Sequence, residues 1–345
     1  MRRLSFRPGA SVLRRLLGTR SPEIAAAVSE QWQIAPGSRI EVRAAKALPG
    51  QIDRIRGAEF ATVEQVLRDF RGGFEAEQLP TTGYAVKDVL LHDGVLYAKD
   101  GIRHLRRRSR FLPATMSRDE RDSGAVYESW LGNRWFGNWL SDDCLTYRLA
   151  ERYAQPVTTD LPTGHKAQYE QQLAMRPDRA ASVWFGTLLV FDDVPHNEGK
   201  RERALDMRRR LVGSEPSRHP GVFLLRNSSG DKRVLLNERE IAERLAARRG
   251  FRVIDPSTAS MDEIMRVCGG ARIVAGVEGS HLVHGLVAMP PGAGAFVIQP
   301  PMRAVAALKL LTDRQEQDYG LVVGEGTNNA FTASIDDVER TLDLF

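Results

Sequence analysis

With 345 residues, an ordinary balance of apolar (42%) and charged (27%) residues and no apolar run of membrane-spanning length, the chain reads as globular, long enough for two cores. The net charge of +5 suits an anionic small molecule such as a nucleotide, and basic residues nowhere interleave with aromatics as in a nucleic-acid module, so no nucleic-acid partner is expected. Cys144 and Cys268 lie outside any CxxC or Cys/His cluster, which predicts reduced thiols in a cytoplasmic protein.

Residues 1–20 hold six arginines and no acid, and lack the apolar centre of a secretory signal. They read as a basic tail, either frayed or lying against anionic lipid at the inner membrane face. "RIEVRAAKAL" and "DVLLHDGVLYAKDGIRHL" suggest strands, the second a hairpin turning at "HDG". "RWFGNWLSDDCLTYRLAERYA" is a long helical pattern, and "ASVWFGTLLVFDD" holds a further strand that ends in a turn at Asp192 and Asp193. "GSEPSRHP" (213–220) is the best linker, which divides the chain into 1–212, a second domain 221–330 and a terminal helix 331–345 that is free to pack back on the first domain.

The second half alternates short apolar strands with helices. "VFLLR", "FRVID", "ARIVAG", "GAFVIQP" and "GLVVGE" are the strands. The helices between them open with Asn237 and Glu240, or Ser260 and Glu263, as capping boxes, and Gly250 closes the first. This predicts a parallel sheet covered on both faces, a Rossmann-like domain. Ligands in such sheets sit beyond the carboxyl ends of the strands. "ARIVAG" runs there into "VEGSH", where Gly276 and Gly279 permit close backbone approach, Ser280 can cap the next helix, and His281 and His284 share roughly one helical face. The plain alternative is a strand–turn–helix joint with no ligand. No GxGxxG, Walker A or GxSxG pattern occurs, and the two histidines lack a third ligand, so no metal site is expected.

The stretch from Phe223 to Ala293 resembles glycosyltransferase family 61. Arg226, Arg233, Asn237, Glu238, Glu240, "GFRVIDP", Gly276, Gly279, Leu282 and "MPPG" fall in the family's order, and "WFGNWLSDD" is similar to its upstream helix start. The chain departs from the pattern at Asn138, Glu278, Ser280 and His284, as a divergent bacterial-type member would. The resemblance implies an α/β protein of GT-B type, two Rossmann-like domains facing a cleft. It also implies inverting transfer from a nucleotide-sugar, a UDP-sugar first, to a glycan or lipid-linked acceptor in surface polysaccharide synthesis. No cofactor or metal is implied.

On that reading Arg226 and Arg233 reach the diphosphate, with Asn237, Gly276, Gly279 and Ser280 around it. Glu278 accepts from ribose or sugar hydroxyls, and His281 or His284 donates when protonated. Asp142, four residues after Asn138 and on the same helical face, is the candidate base, with Asp143 second and Asn138 on the acceptor side. A non-catalytic nucleotide- or sugar-binding protein is the alternative, and an NAD(P)-dependent oxidoreductase the more distant one.

Overall fold

The computed structural model describes residues 3–19, 21–109, 114–117, 119–227, 233–327 and 329–345. The chain forms two compact units, Met1–Pro36 with Pro80–Pro195, and Gly37–Leu79 with His196–Phe345.

The first unit is built on a mixed eight-stranded sheet. Its two longest strands, Thr81–His92 and Ser182–Asp192, run antiparallel from Ser182 opposite His92 to Asp192 opposite Thr82. The expected hairpin follows Thr81–His92. Asp93 and Gly94 both take positive φ (48° and 72°), the conformation a two-residue turn of matching twist requires. On the other side of Ser182–Asp192, the strands Asp119–Val126, Pro156–Thr158 and Asp178–Arg179 pair in parallel, with helices in the connections. Val86, Val89, Leu91, Val126, Phe185 and Leu188 fill the core. A Rossmann-like character was expected for this whole half. It is confined to 119–179, because the strands Val28–Ala35, Thr81–His92, Val95–Tyr97 and Ile102–His104 before it pair antiparallel.

The second unit carries the parallel sheet that the sequence predicts. Its strands are β1 (His219–Leu224), β2 (Arg252–Ile254), β3 (Ala271–Val277), β4 (Gly294–Gln299) and β5 (Asp318–Val323), in spatial order β2-β1-β3-β4-β5. All four pairings are parallel. The order reverses between β1 and β3, the switch point at which open α/β sheets bind ligands. Phe223, Ala275, Val277, Phe296 and Ile298 form the core with Ile241 and Leu245 of the Glu238–Arg249 helix. Val338 and Leu342 of the terminal helix Ile335–Leu342 join the same core, so that helix packs within its own unit.

The partition also differs from the division expected at 212/213. The helix Glu198–Val212 lies in the second unit, where buried Arg208 donates from Nε to the Ala288 and Met289 carbonyls (3.0 and 3.1 Å). Residues 213–220 therefore lead from this helix into β1, within one unit. Gly37–Leu79 joins that unit from far upstream. Lys46 exchanges backbone hydrogen bonds with Tyr319 and Leu321 and covers the open edge of β5, and Gln51 accepts from the Val323 N–H. Cys144 and Cys268 are both buried free thiols.

Candidate active site

At the switch point the chain leaves β1 through Leu225 and Arg226. Two consecutive backbone N–H groups, of Arg226 and Asn227, donate to the two oxygens of Glu238 (2.7 and 2.8 Å). Burial raises the Glu238 pKa, and these two bonds oppose it. The chelation turns the backbone sharply, with Asn227 in the left-handed region (φ 51°) and its amide on Asp255 (2.7 Å). The Arg226 guanidinium is thereby directed inward, buried, and donates to the Arg233 carbonyl (3.1 Å). Of the turn "NSSGDK" between them, residues 228–232 lie outside the described residues.

From β3 the chain enters "VEGSH". Glu278 is buried, its N–H bonded to the Ile298 carbonyl (3.0 Å) and its carboxylate paired with Arg233. Burial pushes the Glu278 pKa up, while the charges of Arg233, Arg303 and Arg226 pull it down. Arg303, just beyond β4, completes the group and is itself paired with Glu59 (3.2 Å). One guanidinium, Arg233, thus pairs with the buried carboxylate, and the charges of Arg226 and Arg303 act on it from the ends of neighbouring strands. Burial, first of all, lowers the pKa of Arg226 and of Arg233. Arg233 Nε and Arg303 Nη1 are buried with no hydrogen-bond partner, so the cluster holds unused donor capacity.

His281 Nε2 is likewise buried, and the ring leans on the Leu224 backbone. Burial lowers its pKa to about 3, with the Arg226 charge adding to the effect, so the ring is neutral near pH 7. It was expected to donate as an imidazolium. Here it is a neutral ring beside an arginine.

The glycines serve close approach. A Cβ on Gly276 would stand 2.7 Å from the Leu224 carbonyl oxygen and 2.8 Å from Leu282 Cδ2. Gly279 takes φ 158°, and a Cβ there would meet His281 Nδ1 at 3.0 Å and Arg226 Nε at 3.5 Å. Ser280 is half-exposed at the start of a 3-10 turn, Ser280–Leu282, and the helix that follows, Val283–Ala288, has only six residues. The expected helix dipole is correspondingly short, and the positive charge here comes from guanidiniums. His284 is buried within that helix, which packs on the helices Met261–Gly270 and Glu198–Val212.

Asn237 does not form its capping box. Its side chain donates to the Ala333 carbonyl (2.8 Å) and accepts from the Ala333 N–H (3.2 Å), which clamps two distant segments. Ser260 does cap, accepting from the Glu263 N–H.

The second cluster lies in the first unit. The long helix expected over 134–154 is present as a continuous run from Phe136 to Tyr153 that widens into a π turn at Trp139–Asp143, and a separate short helix, Trp130–Arg134, precedes it. Asn138 Nδ2 donates to Asp142 Oδ2 (3.1 Å), as the four-residue spacing predicts, and Ser141 Oγ donates to the same oxygen (3.2 Å). Asp142 is half-buried. Asp143 is sealed inside, accepts from the Ser129 N–H (3.1 Å), and burial lifts its pKa well above the carboxylate range. It was the second candidate for the base, but its proton is held where no acceptor hydroxyl can reach. Asp193 is buried and receives Thr81 and Thr146 hydroxyls (3.0 and 2.9 Å), which accounts for the turn after Asp192.

Arg303, Glu59, Glu238 and Asp255 were not singled out as site residues from sequence. For Arg303 a signal exists, since "PPMR" directly follows the carboxyl end of β4.

No curated protein matches the chain. Among solved structures, a flavodiiron protein from Giardia intestinalis aligns at 10% identity and TM-score 0.28, over 66% of this chain and 56% of that one. The metal-soaked Flv1 flavodiiron core from Synechocystis sp. PCC6803 aligns at 12% identity and TM-score 0.23, over 76% and 62%. The chain thus spans less than two thirds of either, and scores this low carry no inference about it. The Glycosyltransferase 61 family matches residues 99–296, more than half of the 345, a stretch that contains Asn138, Asp142, Arg226, Arg233 and Glu278. The protein belongs to glycosyltransferase family 61.

Proposed function

We propose that the protein transfers a sugar from a nucleotide donor, a UDP-sugar in the first instance, to an acceptor hydroxyl with inversion. The observation that carries this reading is the buried Arg233–Glu278 pair at the β1/β3 switch point, with Arg226 bonded to the Arg233 carbonyl and the Arg226 and Arg303 charges acting on Glu278. The arginines supply the charge and fork geometry that a departing diphosphate needs, without a divalent ion as cofactor. An incoming phosphate would take up the idle Arg233 Nε and Arg303 Nη1 donors. Neutral His281 would serve through whichever ring nitrogen carries its hydrogen. Phe60 adds a further element. It is 65% exposed, it holds φ 69°, a conformation bulky residues rarely keep, and its ring centroid lies 5.9 Å from the Arg303 guanidinium. Its open face suits a stacked nucleobase.

In this reading Asp142 is the base. It takes the acceptor hydroxyl proton as the new C–O bond forms and the anomeric carbon–oxygen bond to the diphosphate breaks. Asn138 and Ser141 hold the carboxylate in place. A GT-B-like pairing of donor and acceptor units, a cytoplasmic site and a role in surface polysaccharide synthesis with glycan or lipid-linked acceptors are parts of the same proposal.

Calorimetry with UDP, GDP, CMP and NAD, with and without magnesium, tests it. Micromolar, metal-independent binding of one sugar-carrier nucleotide, lost in Arg226→Ala, is expected. Binding of NAD alone would replace the proposal with an oxidoreductase, and donor hydrolysis or transfer unaffected by Asp142→Asn would remove the base.

A further inference from the structure

The helix Arg7–Leu16 is fastened to the first unit along one side only. Arg7 donates to the Asp88 carbonyl and carboxylate (2.6 and 2.5 Å), Pro8 and Ser11 are buried, and Arg108 donates to Ser11 Oγ (2.9 Å). The outward side carries Phe6 (67% exposed), Leu13 (58%), Leu16 (78%) and Leu17 (71%), spaced so that they form one stripe with Ala10. Exposed Arg14 borders the stripe, exposed Arg15 lies on the other side of the helix one turn after Ser11, Arg107 is exposed next to the anchoring Arg108, and no acidic residue precedes Glu23.

The patch continues beyond the helix. Burial depresses the His104 pKa, the charge of Arg108 and more weakly that of Arg15 add to it, and Glu23 opposes it. Trp130 stands edge-on to His104 (centroids 6.5 Å), and Trp130 and Leu131 are both exposed. An exposed apolar stripe flanked mainly by arginines, with Glu23 and the Arg7-paired Asp88 as the acids nearby, is costly to leave in water, and its surplus of positive charge selects what covers it.

We infer that this face docks on an anionic lipid bilayer. The leucines and Phe6 enter the acyl boundary, Trp130 sits at headgroup depth, and the arginines meet lipid phosphates. The inference stands independently of the transferase proposal. If both hold, it brings the helix Trp130–Arg134, whose Gly132 lies against the Asp143 carboxylate next to Asp142, to the membrane side of the unit.

Co-sedimentation of the full chain with two vesicle types tests this, one of phosphatidylcholine and one of equal parts phosphatidylcholine and phosphatidylglycerol. At low salt the anionic vesicles should bind at least about tenfold more protein, with the excess lost at high salt. Leu13→Glu with Leu16→Glu, and separately Arg14→Glu with Arg15→Glu, should each abolish the excess. All four positions are exposed, so circular dichroism and Tm should stay those of the wild type. Equal binding to both vesicles, binding to neither, or retention by both variants overturns the inference. So does a dimer, seen by light scattering without lipid, that the leucine variant dissolves, since a second copy would then cover the stripe.

Discussion

His281 shows how a single residue acquires a different role from the one its type suggests. Its pKa falls from 6.5 to about 3 on folding, so between those values the unfolded chain binds more protons and stability drops as the pH is lowered. Urea unfolding at pH 7 and pH 5 should therefore show a larger loss for the wild type than for His281→Gln, and equal losses would place the ring in a wetter site. The two aspartates separate in the same way. Asp142→Asn should lower turnover by roughly 10²–10⁴-fold while donor affinity is kept, as for loss of a general base. Asp143→Asn should keep most activity, because the amide oxygen can still accept from Ser129 and burial already favours the uncharged form. Reversal of these two outcomes in a transfer assay would exchange their roles. Arg226, Glu278 and Asp142 were legible because each sits at a strand end or a helical spacing. Glu59 was not, since it meets Arg303 from 244 positions upstream and no local pattern encodes that.

At the level of elements, the five strands of the parallel sheet are plain in the sequence because their apolar runs are short and bounded by glycine and polar turns. Two helical features were not plain. Asn237 and Glu240 satisfy the capping pattern, yet Ala333 occupies the Asn237 amide from 96 residues away. The helix that ends at Tyr153 is continuous from Phe136, but it widens into a π turn at Trp139–Asp143, where Asp143 reaches back to Ser129. The strand–turn joint after β3 is the most exacting element. A methyl at Gly276 meets a backbone carbonyl that cannot swing away. Gly276→Ala should therefore destabilise the protein by about 1–3 kcal/mol, measured by urea unfolding. Stability within a few tenths of the wild type would show that β1 and β3 can part without cost.

For the molecule as a whole, α/β character and a Rossmann-like second unit follow from the alternation of strand and helix. The partition does not, because Gly37–Leu79 meets β5 through the Lys46 backbone and single side chains such as Gln51, contacts across more than 270 residues of sequence that no local pattern encodes. The chain passes from one unit to the other at 36/37, 79/80 and 195/196. A fragment starting at residue 213 lacks both the Glu198–Val212 helix and the strip over β5. It is expected to express as insoluble material, and co-expression with 37–79 alone should not rescue it. A soluble, cooperatively unfolding fragment would contradict this. The same crossings set an order of events during synthesis. The first unit is complete once Pro195 clears the ribosome, but residues 37–79 are by then already made and, apart from the hairpin of their own ends, wait for partners that emerge later, β5 near the very end of translation. On stalled nascent chains of increasing length, protease resistance of 37–79 should lag far behind that of its flanks. A chaperone that binds extended apolar segments would find its longest window there.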